Sequence, residues 1–390
     1  TGAISLESLF GVSNVLGVDK TEGLWITVVI IGVIGSIYAI FGGLKAVAYS
    51  DTINGAGLLI GGMLIPILAL LEIGDGNIIG GLVKVYEFAP QKFNVIGAKD
   101  SVLPFEVLFT GLIINQIYFW GMNQTIIQRA LGAKNLKEAQ KGLLLTGVFK
   151  IFVPLIIILP GVICYYYFQD TYYDQQDMVY PELVKKVLPV WLIGFFAAVI
   201  MGAVLSTFNS VLNSAATLFS LGIYKRHINK KSSDKKLVII GKSTSAVLAV
   251  AAIFAAPMVA NASDGLYQLL QQLNGIFFIP IASILIAGFF MKKVSAMGAK
   301  VALLFGLSFY IFMTWGYTSH GIHFVHLWGI EFLINVGIMY GVSHFYRRKN
   351  MYEITDVGAV DLTIWKYTKP LSISLCVITV LIYVLLSRIS

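Results

Sequence analysis

Leu24 to Gly43 reads LWITVVIIGVIGSIYAIFGG, twenty consecutive positions without a charged side chain. A helix of that length rises about 30 Å, the thickness of the hydrocarbon core of a bilayer. The pattern recurs, and ten stretches long enough to cross begin near Leu24, Thr52, Phe105, Leu143, Val190, Leu237, Tyr267, Val301, Leu327 and Leu371. Of the 390 residues 57 % are hydrophobic and only 12 % charged. A soluble domain carries about 25 % charged residues, so too little polar surface remains here to face water. An ordinary soluble enzyme and a disordered chain are excluded, and a membrane β-barrel does not generate such long apolar runs because its strands alternate. The sequence predicts an all-α polytopic membrane protein, one transmembrane domain over residues 1–390, with no soluble domain, linker or low-complexity tract.

The net charge of +8 would suggest nucleic acid in a soluble chain. In a membrane protein basic residues gather in cytoplasmic loops, and nucleic acid is not an expected partner. Twenty of the 28 Lys and Arg residues fall in alternate loops, among them Lys45, Arg129, Lys225, Arg347, Arg348 and Lys349. Those loops are predicted to be cytoplasmic, which puts both ends of this chain, and the acidic stretch at Asp170, Asp174 and Asp177, on the other side. The two cysteines, Cys164 and Cys376, sit in apolar runs without metal-ligand or disulfide spacing. The sequence begins at Thr1 with no signal-peptide pattern and reads as lacking its true beginning. Gly57-x-x-x-Gly61 is the kind of small-residue pair that lets helices approach closely in lipid.

Polar groups at membrane depth are costly unless they face protein or water, so each is a functional candidate. Ser206, Ser210, Asn213, Ser214 and Thr217 repeat at helical spacing and form one stripe. Their oxygens suit a weakly held Na⁺; with no carboxylate or imidazole among them they do not suit a transition metal. The same stripe also fits a packing seam joined by hydroxyls. Lys150 falls within the fourth span and needs either oxygen partners or a route for its amine to the cytoplasmic face. Gln268, Gln271 and Gln272 share a helical face, with Asn274 beyond them, and side-chain amides both donate and accept, as a polyhydroxylated solute requires. Gly275 and Pro280 offer points at which that helix would break. Asn115, Gln116, Tyr118, Phe119 and Trp120 mix amides with aromatics ahead of Gly121, another weak point. His320, His323 and His326 fit either solvated loop positions or a metal site, and Asp51 fits either a helix cap or an attractor for cations.

Three blocks resemble the solute:sodium symporter family, in particular its bacterial sodium/galactose branch, over about residues 1–350. They are Tyr38-Ala-Ile-Phe-Gly-Gly-Leu-Lys-Ala-Val-Ala-Tyr-Ser-Asp51, Tyr118-Phe-Trp-Gly-Met-Asn-Gln-Thr-Ile-Ile-Gln-Arg129, and Leu205-Ser-Thr-Phe-Asn-Ser-Val-Leu-Asn-Ser214 followed by Ile223-Tyr-Lys225. The resemblance implies a LeuT-like five-plus-five inverted-repeat fold with extra C-terminal helices. In that frame the spans here are core helices four to ten plus three more, and the first helices are missing. Residue by residue it makes Ala203, Ser206 and Thr207 sodium ligands and places Asp51 on the inward sodium path. It makes Gln116, Phe119, Lys150, Tyr267 and Gln271 solute contacts, with Tyr267 as an outer aromatic gate. The implied activity is not enzymatic. It is Na⁺-coupled symport of a small polar solute by alternating access in the cell membrane, with a hexose such as galactose or glucose expected. Sialic acid, inositol or amino-acid transport, or a sensor on the same scaffold, remain the alternatives.

Overall fold

The computed structural model describes residues 2–99, 101–169, 171, 176–259, 266–346, 358 and 360–387, and the side chains of 43–47, 258 and 259 lie outside that description. Of the charges used for orientation, Asp170, Asp174, Arg347, Arg348, Lys349 and the side chain of Lys45 are therefore not placed. The described residues form helices α1 (Gly2–Phe10), α2 (Val12–Leu16), α3 (Lys20–Ile73), α4 (Ile78–Phe88), α5 (Gly111–Gly121), α6 (Gln124–Leu131) and α7 (Leu136–Phe168). There follow α8 (Gln176–Val187), α9 (Val190–Thr217), α10 (Asp234–Ala255), α11 (Leu266–Phe290), α12 (Ala296–Ile311), α13 (Phe324–Phe345) and α14 (Thr368–Ser387). A π-helical turn extends α9 to Ile228 and another extends α12 to Gly316. No strand occurs among the described residues. In lipid only structures that satisfy their own backbone survive, and helices do so without a partner.

Nine segments among the described residues are long and apolar enough to cross a membrane: two in α3 (Lys20–Gly42 and Ala48–Ile73), α7, α9, α10, α11, α12, α13 and α14. The stretch from Phe105 is instead built from a 3-10 turn at Phe105–Phe109, α5 and α6. The interruption has a local cause. Helix α5 ends at Gly121, and Asn123 starts α6 afresh by accepting the Thr125 N–H at 2.9 Å.

The chain divides into two compact units, residues 1–94, 144–266 and 372–390, and residues 95–143 with 267–371. In the first unit α3 packs most extensively on α9. Gly35 lies against Leu205 and Phe208, and Ala39 clusters with Leu212. Further along, Asp51 meets Ser206, Asn54 meets Gly202, Gly57 meets Val199 and Gly61 meets Phe196. Contacts that climb α9 and then descend it require the direction of α3 to reverse between Ala39 and Asp51, so its two apolar halves are separate crossings. A Cβ on Gly62 would stand 2.4 Å from Ile156, so this glycine lets α3 and α7 approach.

The second unit is centred on fully buried Trp328 and Tyr310, packed with Val107, Ile279, Val325 and Leu327. Gly111 sets the spacing of α5 and α13, because a Cβ there would lie 2.0 Å from the Val325 carbonyl oxygen and 2.4 Å from Trp328 Cβ. At the start of α7 the Gln140 Oε1 accepts from Trp365 N at 2.8 Å and from Thr368 Oγ1 at 2.9 Å, tying the segment before α14 to that helix turn. A methyl at Gly111 meets backbone, which does not yield as a side-chain tip does. Gly111→Ala is expected to cost about 1–3 kcal/mol by overpacking. Gly161→Ala, where the added methyl meets open space, should stay within about 0.5 kcal/mol. Thermal unfolding of the two variants in detergent measures the difference.

Candidate functional site

The α9 stripe is not uniform. Ser210 donates to the Ser206 carbonyl at 2.6 Å, Ser214 to the Ser210 carbonyl at 2.7 Å and Thr217 to the Asn213 carbonyl at 2.8 Å. These hydroxyls are satisfied by their own helix one turn back, which is how Ser and Thr are accommodated in lipid. Ser206 differs: its Oγ crosses to α3 and donates to Asp51 Oδ1 at 2.5 Å. One turn away, Asn54 Nδ2 donates to the Gly202 carbonyl at 3.0 Å and to Ser50 Oγ at 3.3 Å. Thr207 donates to the Ala203 carbonyl at 3.0 Å. Donation uses the hydroxyl proton and leaves the oxygen lone pairs free for a cation. Ala203, Ser206, Thr207 and Asp51 thus form a patch whose donor atoms are all oxygen, chemistry suited to a hard cation.

Beside this patch Asn209 is fully buried, and neither side-chain atom has a hydrogen-bond partner among the described residues. Sequence reasoning left Asn209 and Asn54 out of the stripe. The spacing would have admitted Asn209, three residues after Ser206. Asn54 acts on another helix and gave no signal of its own. Lys150 belongs to the same unit, on α7, where its side chain is exposed.

The second unit holds the remaining expected solute contacts. On α5, Gln116 Oε1 accepts the Trp120 indole N–H at 2.9 Å. Phe119 is half-buried, with its ring 6.4 Å from Phe278 of α11, and Tyr118 lies 4.6 Å from the same ring. On α11, Gln271 Oε1 accepts from Asn274 Nδ2 at 3.3 Å, and Tyr267 is 66 % exposed. The expected break in this helix is absent, since α11 runs unbroken from Leu266 to Phe290 through Gly275 and Pro280. Gly275 serves packing instead of flexure: a Cβ there would lie 2.2 Å from Trp328 Nε1 and 2.6 Å from the Tyr310 hydroxyl oxygen.

The three histidines do not all stand in a loop: His320 ends a 3-10 turn, His323 caps α13 and His326 lies in its first turn. His320 Nδ1 accepts from Ile322 N at 2.8 Å while its Nε2 faces the Met313 carbonyl at 2.9 Å. His323 Nδ1 accepts from Val325 N at 3.2 Å, capping α13, while Nε2 faces the Val102 carbonyl at 3.0 Å. His326 Nδ1 pairs with Thr110 Oγ1 at 3.0 Å. With both nitrogens of two rings engaged on backbone, the metal reading loses its ligands, and no group of three His, Cys, Asp or Glu that would hold a metal ion occurs among the described residues.

Nine segments among the described residues long and apolar enough to cross a bilayer define an all-α multi-pass membrane protein. The family model for the sodium:solute symporter family matches residues 8–306. An uncharacterised symporter of Escherichia coli (strain K12), YidK, is 41 % identical over 375 residues, covering 96 % of this chain and 65 % of that protein. The sodium/glucose cotransporter of Vibrio parahaemolyticus is 31 % identical over 334 residues, covering 80 % of this chain and 59 % of that protein. The chain therefore spans less than two thirds of the length of these relatives. A solved substrate-bound, outward-open Na⁺-coupled sialic acid symporter shares the fold with a TM-score of 0.71 at 20 % identity, covering 90 % of this chain and 72 % of that one. The chain belongs to the sodium:solute symporter family.

The His323 cap has a pH consequence. Burial is the main cause that holds its pKa below the ordinary 6.5, with His326 adding to the shift and the Val102 carbonyl opposing it. The folded state favours the neutral ring, whose bare Nδ1 accepts the Val325 N–H. Stability from this contact is complete above about pH 6.5, the unfolded value, and is lost as the pH falls towards the lower folded value. The melting temperature should drop on acidification below about pH 6.5, and His323→Asn, a non-titrating cap, should lessen that drop.

Proposed function

We propose that this chain carries the ion site and part of the solute site of a secondary active transporter in which inward Na⁺ movement drives uptake of a small polar solute, most simply a hexose. Its helices are read as core helices four to ten of one transporter domain, followed by three more. The observation that carries the reading is the hydrogen bond from Ser206 on α9 to Asp51 on α3, with the Ala203 carbonyl and the Thr207 hydroxyl alongside. Family membership and the names of the relatives, a sodium/glucose cotransporter and a Na⁺-coupled sialic acid symporter, support it.

In this mechanism Na⁺ rests on Ala203 O, Ser206 Oγ and Thr207 Oγ1. Asp51 shares the Ser206 hydroxyl, so an ion leaving the three neutral oxygens meets a carboxylate along its inward path. The amides of Gln116 and Gln271 suit sugar hydroxyls, the Phe119 ring suits the apolar face of a pyranose, Lys150 donates to a solute oxygen, and Tyr267 covers the outer side. The driving force is adequate. A potential of 100 mV supplies about 2.3 kcal/mol per charge, and a roughly tenfold Na⁺ gradient adds about 1.4 kcal/mol. Together they sustain a solute gradient of several hundredfold, roughly tenfold for each 1.4 kcal/mol. An anionic solute such as sialic acid is the second reading, favoured by the cationic Lys150.

The test is solute uptake by vesicles holding the full-length transporter. Ser206→Ala and Thr207→Ala should each raise the Na⁺ concentration for half-activation about tenfold or more, a loss of about 1.4 kcal/mol or more. Unchanged Na⁺ activation in both removes the ion site. Gln271→Ala should abolish hexose uptake while Na⁺ binding persists. Competition by unlabelled sugars and acids separates the hexose reading from the anionic one, and absence of uptake for any solute favours a sensor.

A further inference from the structure

Helix α13 carries Trp328, Glu331 and Asn335 at successive turns on one face. All three are fully buried. Glu331 Oε1 and Oε2, Asn335 Oδ1 and Nδ2, and Trp328 Nε1 find no well-aligned hydrogen-bond partner outside this cluster among the described residues; within it Asn335 stands against the Glu331 carboxylate and Trp328 against the Tyr310 hydroxyl. Opposite them on α12, Gly306 and Tyr310 also lie one turn apart on one face, and the buried Tyr310 hydroxyl turns to Trp328 and Thr314, so these polar groups have one another and no charged partner. The contact is close. A Cβ on Gly306 would stand 2.6 Å from Asn335 Nδ2, 2.8 Å from Glu331 Oε1 and 3.0 Å from Pro280 of α11. Gly275 of α11 leaves the matching notch for Trp328 Nε1 and the Tyr310 hydroxyl. Helices α12 and α13 thus present polar tips to one another, against Gly275 and Pro280 of α11, where apolar side chains would pack without cost.

A carboxylate enclosed in protein at membrane depth requires a positive charge. None comes from the neighbouring helices. Helices α5 and α11 contain no Asp, Glu, Lys, Arg or His, their only titratable groups being Tyr118 and Tyr267. Helix α12 offers Tyr310 at the cluster and Lys300, which lies six residues before Gly306, about 9 Å along the axis. On α13 His326 is committed to Thr110, Tyr340 is exposed, and His344 stands nine residues past Asn335. Glu106, in the turn before α5, completes the ionisable groups on the elements packed here.

We propose that Glu331 and Asn335, with Tyr310, form a buried binding site for one small monovalent cation, a proton or Na⁺, neutralising the Glu331 carboxylate. The site stands on α11, α12 and α13, none of which carries Ala203, Ser206 or Thr207, and it does not depend on the sodium reading of those residues. The carboxylate supplies the charge, and the Asn335 carbonyl and the Tyr310 hydroxyl supply further oxygens. Occupancy keeps α13 seated in the notches of Gly275 and Gly306, and loss of the cation leaves a bare carboxylate that pushes the helices apart.

The experiment is infrared difference spectroscopy of the full-length transporter in lipid vesicles, recording the carboxylic-acid C=O band while pH and NaCl are varied against choline chloride. If the occupant is a proton, a band lost in Glu331→Gln is present without sodium and disappears as the pH rises. If it is Na⁺, the band present in choline at mildly acid pH disappears on addition of NaCl and not of KCl. In either case Asn335→Ala should shift the midpoint, in proton or sodium concentration, at least about tenfold. Should Glu331→Gln not fold, protein labelled with ¹³C-glutamate assigns the band to glutamate, and its shift in Asn335→Ala locates it. A glutamate band unresponsive to both pH and sodium, or one unmoved in Asn335→Ala, overturns the proposal.

Discussion

Inside a bilayer no water is at hand to satisfy a polar atom, so every hydroxyl, amide or carboxyl at depth must find a partner in protein or hold something else. That constraint sorts the interior of this molecule. Most of the hydroxyls on α9 discharge it locally by bonding to the carbonyl one turn back, and they leave the helix surface apolar in effect. Ser206 does not, and the bond it forms to Asp51 joins two helices. Asn209 has no hydrogen-bond partner among the described residues, and Glu331 has the Asn335 amide beside it but no positive charge. Function is sought where the constraint is met across helices or left unmet.

Close approach is the second theme. No hydrophobic force draws helices together in lipid, so packing quality and small residues decide their spacing. Gly62 admits Ile156, Gly111 lies under the backbone of α13, and Gly275 and Gly306 accept polar tips from Trp328, Tyr310, Glu331 and Asn335. Gly275 shows the ambiguity of such residues in a sequence. Read along the chain it marks a break; in space it is a notch, and the helix passes through it intact.

Much of the architecture was legible from periodicity and composition. The apolar stretches, the break at Gly121 and the polarity of α9 follow from local rules, because a bilayer imposes one length and one backbone solution on whatever crosses it. Spacing alone picked out the stripe through Ser206; Ala203 and Thr207 joined it as expected ion ligands only through the family resemblance. Glu331 was not legible, since one carboxyl in an apolar span shows neither its burial nor the absence of a counter-charge until the helices around it are known. The partners of the histidines were hidden for a related reason: a spacing of three fits a metal site or solvent, and the Val102 carbonyl and the Thr110 hydroxyl that engage His323 and His326 lie more than two hundred residues away in sequence.

The amino-acid order by itself determined that the chain crosses the membrane repeatedly as helices, because runs of apolar residues have no other stable state in lipid. It also determined which residue types stand at depth. Only the tertiary structure decided which of them meet: that Ser206 turns to Asp51 and not to its own helix, and that Glu331 and Asn335 face the Gly306 notch. Pairing across helices depends on the reversal of α3 and on the glycine-set distance between backbones. Those are relations among segments far apart in the chain, and no local pattern encodes them.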